Sequence, residues 1–68
     1  KKKTVLALAI GMKLNLDETK DLLSRAGYAL SPGSKFDLIV KYCIETGEYN
    51  IVKINILLYE YGEETLGD

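Results

Sequence analysis

Residues 14–30, L-N-L-D-E-T-K-D-L-L-S-R-A-G-Y-A-L, carry both ends of one helix in plain view. Asn15 is a favourable N-cap, and Glu18 stands three positions on, where its carboxylate reaches back to the cap's own N–H. Asp17 and Glu18 place negative charge at the positive end of the helix dipole, and Arg25 lies near the negative end. Leu16, Thr19, Leu22, Leu23 and Ala26 recur at spacings of three and four and define an inner face. Gly27 supplies a left-handed stop. A helix bounded this tightly, with one apolar stripe, must pack that stripe against something else in the chain.

The partners are further helices. Thr4–Leu14 is rich in helix formers, with only Val5 and Ile10 β-branched after Thr4. Its apolar residues make two faces, Val5, Leu8, Ala9 and Met12 on one side and Leu6, Ile10 and Leu14 on another. A helix apolar on most sides is buried on most sides, and a chain this short does not cover all of it. Gly11 is expected within this helix, where it admits a close neighbour. After the helix 16–26, Ser31-Pro32-Gly33-Ser34 is a turn that starts the next one. Either Ser31 caps with Pro32 at the first helical position, or Ser34 caps with Asp37 three residues on. Phe36, Ile39, Val40 and Cys43 form the inner face of that helix, flanked by Leu38, Tyr42 and Ile44, and Gly47 ends it. Asn50 caps a last helix with Ile51, Ile54, Leu57, Leu58 and Tyr61 on its stripe and Val52, Ile56 and Tyr59 broadening it; Gly62 stops it. In the acidic end that follows, Leu66 can tuck back.

The expected fold is therefore all-α: one domain over residues 1–68, a small bundle of four helices at about 4–14, 16–26, 33–46 and 51–61. The expected core is Leu8, Leu22, Leu23, Phe36, Ile39, Cys43, Ile54 and Leu58. No linker is long enough to divide the chain. The basic start and apolar run at 1–10 resemble a signal peptide only in outline. The run is short, Lys13 follows it, and no small-residue cleavage site comes after. No window approaches the length of a membrane span. A single cysteine forms no internal disulfide, which fits a reducing cytoplasm.

Chemistry-bearing residues are sparse. The chain has no His, and Cys43, its one soft nucleophile, falls on an apolar helix face with no base beside it in the pattern. Asp17, Glu18 and Asp21 lack the glycine and alternate spacing of a calcium loop and read as helix-start electrostatics. The turn at Ser31–Ser34 has one glycine and no Lys-Ser or Lys-Thr after it, so it is no phosphate loop. We expect no enzyme, no catalytic residues, no cofactor and no metal. Two features remain. Lys1, Lys2, Lys3 and Thr4 stand at a helix N-terminus, where a phosphate backbone could be touched. These lysines are three of the nine basic residues, so the rest of the chain is net acidic and poorly suited to broad phosphate binding. There are five tyrosines against one phenylalanine, and Tyr42, Tyr49, Tyr59 and Tyr61 fall in the second half; Tyr suits surfaces that are half dry and half wet.

The run K-K-T-V-L-A-L-A-I-G-M-K-L-N-L-D-E-T-K-D-L-L-S-R-A-G-Y-A-L-S resembles the last two helices of the XRE-type (lambda-repressor-like) helix-turn-helix domain. The likeness is carried by Thr4, Leu6, Leu8, Ala9, Met12 (where Leu is usual), Leu14, Leu16, Asp17, Glu18, Leu22, Leu23, Ala26, Gly27 and Tyr28. The remainder, S-K-F-D-L-I-V-K-Y-C-I-E-T-G-E-Y-N-I-V-K-I-N, resembles a C-terminal extension found on a subset of bacterial proteins with that domain. The resemblance implies a non-catalytic scaffold and interaction domain of a bacterial DNA-binding transcriptional regulator. In that family the turn and recognition helix precede this region, so no base-reading role transfers to any residue here, and the chain is expected to be part of a longer protein. The implied partner is the upstream helix-turn-helix of the same protein. Sequence-specific DNA binding by this chain alone, and any membrane association, are not expected. Without the upstream helices the first helix would expose Val5, Leu6, Ala9, Ile10 and Gly11, with Leu8 and Met12, as a self-association surface for a homodimer; failing that, it would fray. The alternative is an independent protein–protein interaction or dimerisation module whose parent does not regulate transcription.

Overall fold

The computed structural model describes residues 1–67. It consists of four helices: α1 (Lys2–Gly11), α2 (Leu16–Arg25), α3 (Lys35–Glu45) and α4 (Ile51–Glu60), with no strand among the described residues. Each helix packs against its neighbours in the chain, and α1 closes the ring against α4.

The helix starts follow the expected chemistry. Asn15 accepts the Glu18 N–H at 2.8 Å, and Glu18 Oε1 accepts the Asn15 N–H at 2.9 Å, a complete capping box. Of the two alternatives for α3, Ser34 is the cap: its hydroxyl accepts the Asp37 N–H at 3.1 Å. Asn50 caps α4 by accepting the N–H groups of Val52 and Lys53. Only α1 starts without a side-chain cap.

The end of α1 differs from expectation. The helix stops at Gly11, not Leu14, and Gly11 is exposed, with nothing within 4 Å of where a Cβ would sit; it admits no close neighbour. Lys13 takes the left-handed conformation, φ 54°. Its N–H donates to the Ile10 carbonyl and the Leu14 N–H donates to the Ala9 carbonyl, both at 3.0 Å, which is the Schellman closure. No glycine marks this turn, so the sequence pattern runs on past it.

The core comprises Leu6, Ala9, Ile10, Leu23, Ile39, Val40, Cys43, Ile44, Ile54, Leu58 and Leu66. Three expected members, Leu8, Leu22 and Phe36, are corrected. Leu8 is 52% exposed, because α1 turns Leu6, Ala9 and Ile10 inward, a face that mixes the two read from the sequence. Leu22 is half-buried and outside the main cluster, since Leu23 occupies the inner line of α2. Phe36 is half-buried against the cluster, and Ala26, expected on the inner face, is exposed at the helix end. The tail does return: Leu66 is buried, and the Asn55 side chain holds it, accepting the Leu66 N–H at 2.8 Å and donating to the Gly67 carbonyl at 3.0 Å.

Candidate interaction surface

Lys1 precedes α1, whereas Lys2 and Lys3 belong to it and are engaged within the chain. Lys2 Nζ pairs with Asp37, a carboxylate only 3% exposed that also accepts the Ser31 N–H at 2.7 Å. Burying a charge demands a partner of opposite sign, and here the pair ties the start of α1 to the start of α3. Lys3 Nζ lies 3.6 Å from Glu64 in the tail. Lys1 and Thr4 are exposed. The four residues expected at a phosphate backbone thus divide, two facing solvent and two holding acidic side chains of the same molecule.

The residues expected to form a self-association surface on α1 divide as well. Leu6, Ala9 and Ile10 lie inside the molecule and Val5 is half-buried. The exposed large apolar residues here are Leu8 in α1 and Met12 just after its end, beside Gly11.

Cys43 is buried on α3, and burial pushes its thiol up from the ordinary value, the Glu48 carboxylate adding to the shift. The neutral thiol is its resting form there, the opposite of an activated nucleophile. Among the described residues no group of His, Cys, Asp or Glu is arranged to hold a metal ion. No helix among them is long and apolar enough to cross a membrane.

The larger apolar surface lies on α3 and α4. Leu38, Tyr42, Leu57 and Tyr61 line a groove of about 360 Å³ between the two helices. On the other side of α4, Ile51, Val52, Ile56 and Tyr59 line a groove of about 400 Å³ whose rim is the tail at Thr65 and Gly67. Neither groove has a charged residue in its lining. Val52, Ile56 and Tyr59 are 62%, 53% and 77% exposed, values a buried stripe would not show. The tyrosines therefore separate by role. Tyr42, Tyr59 and Tyr61 are exposed, whereas Tyr49 is half-buried and donates its hydroxyl to the Leu14 carbonyl at 2.6 Å, locking the α3–α4 link onto the α1–α2 link. Tyr61 and Tyr59, read from the sequence as part of the stripe of the last helix, are thus at the surface, and nothing local in the sequence signalled Tyr49's distant acceptor.

No protein-family model, no curated protein and no solved structure matches this chain.

Proposed function

We propose that this chain is a non-catalytic scaffold and interaction domain of a DNA-binding transcriptional regulator, working in the cytoplasm. The observation that carries the reading is how the α1–α2 pair uses the resembling residues. Leu6, Ala9 and Leu23 are buried between the packed helices, Leu16 joins them from the capped start of α2, and Leu8 and Met12 remain as an apolar edge for a preceding helix. The single free, buried cysteine fits a reducing compartment. In this role the chain supports a reading element without itself touching bases, and its contribution to DNA affinity is confined to backbone contact from the exposed Lys1 and Thr4.

The test is selection from a randomised duplex pool at physiological salt, run on this chain and on the full-length product of its gene. The full-length protein enriches a defined sequence and this chain enriches none. A saturable, sequence-dependent shift by this chain alone, or a parent with no helix-turn-helix, overturns the reading. The alternative, an independent interaction module on a parent with another task, is favoured by the uncharged apolar surface of α3 and α4, which lies outside the segment resembling the DNA-binding domain.

A further inference from the structure

The outer face of α4 points to a specific occupant. We propose that it is a two-fold interface with a second copy of this chain, the two α4 helices lying antiparallel; the inference does not depend on what the parent protein does. Val52, Ile56 and Tyr59 follow one another at spacings of four and three, a single stripe along the helix, and all are exposed. The stripe is self-complementary. With a two-fold axis near Ile56, each Tyr59 ring meets Val52 of the other copy, and the Ile56 side chains meet close to the axis.

The charges at the edge fit the same arrangement. Lys53 and Glu60 are seven residues apart on one edge of the stripe, both exposed, and neither is in an ion pair among the described residues. In an antiparallel pair, like edges face each other, so Lys53 of each copy stands opposite Glu60 of the other. A parallel two-fold pair brings opposite edges together, so Lys53 and Glu60, which share one edge, would find no partner of opposite charge in each other. On the opposite edge of the stripe, Asn55 donates an amide N–H to the Gly67 carbonyl and accepts the Leu66 N–H, so most of its polar capacity is satisfied within the chain.

The available area suffices for a modest interface. Val52, Ile56 and Tyr59 offer roughly 350 Å² per copy, given the size of such side chains. With the flanking residues the pair would bury roughly 1,000 Å², at the lower limit for a specific contact. The α1 edge offers only Leu8 and Met12 as large apolar residues and falls short of this.

Sedimentation equilibrium over a micromolar to millimolar series tests it, with circular dichroism confirming that each variant is folded. The wild-type chain shows a reversible monomer–dimer equilibrium. Ile56→Lys, at an exposed site, weakens it by at least about tenfold by placing like charges together at the axis. Lys53→Glu alone weakens it roughly threefold, and the exchange Lys53→Glu with Glu60→Lys restores it to within about twofold. A strict monomer throughout overturns the proposal. So does a dimer that survives Ile56→Lys and is lost with Leu8→Lys, which would place the contact on α1, or an exchange variant that fails to restore association, which would rule out the antiparallel register.

Discussion

Thr19 is completely buried in α2, and its hydroxyl oxygen has no hydrogen-bond partner among the described residues. The cost of stripping water from that hydroxyl is uncompensated, so Thr19→Val, which keeps the shape, is expected to stabilise the fold by about 1 kcal/mol in urea unfolding. A loss of stability would show that the hydroxyl has a partner in solution. Tyr49 is the opposite case. Removing its hydroxyl leaves the Leu14 carbonyl unpaired in a half-buried site, and Tyr49→Phe should cost about 1–2 kcal/mol by the same measurement. Cys43 links stability to pH. Its thiol is held above the ordinary value in the folded state, so the contribution is fully present below the unfolded thiol's pKa of about 8.5 and is lost as pH rises through the folded value. Stability should therefore fall less steeply at alkaline pH in Cys43→Ala than in the parent chain, although that variant starts lower because it leaves a cavity.

All four helices end in the same way, with a left-handed residue and a backbone N–H returned to the last turn. Tyr28, Glu48 and Glu63 donate to Leu23, Cys43 and Leu58, as Leu14 does to Ala9. Three of the left-handed positions are glycines, and the fourth is Lys13. A side chain with a Cβ costs about 1–2 kcal/mol in that conformation. Lys13→Gly removes the strain, while the extra freedom of glycine in the unfolded chain returns part of the gain. A net stabilisation of about 0.5–1 kcal/mol is expected, read as a higher thermal midpoint. Gly27, at φ 84°, is the same position already optimised, which is why the stop of α2 was legible in the sequence and that of α1 was not.

At the scale of the molecule, the radius of gyration is 10.7 Å, against the roughly 11 Å expected for a folded chain of this length. Such a chain has only about 3–10 kcal/mol of stability to lose. Leu23, with no exposed surface, sits where α1, α2 and the rest of the core meet. Leu23→Ala should cost about 2–5 kcal/mol and abolish cooperative melting or nearly so. Its neighbour Leu22, half-buried and outside the core cluster, should cost about 1 kcal/mol on the same change, so the pair of melts checks which leucine carries the helix. Equal losses would show that α2 is rotated from the orientation described.

The sequence alone determined what depends on near neighbours in the chain. Asn15, Ser34 and Asn50 bond N–H groups two or three residues away, and Gly27, Gly47 and Gly62 need only their own backbone angles, so helix number, order and most ends could be read directly. The stripe of α3 was legible for the same reason: its apolar and polar sides differ. The inward face of α1 was not, because a helix apolar all round packs equally well on several sides until its neighbours are placed, and only the ring of α2 and α4 chose Leu6, Ala9 and Ile10 over Leu8. The contacts that define the surface are likewise non-local. Lys2 meets Asp37 and Tyr49 meets Leu14 across 35 residues, and Asn55 takes hold of a tail that begins after its own helix has ended. Pairings of that kind exist only once the chain has closed, and they decided which lysines were engaged within the molecule and which tyrosines stayed at its surface.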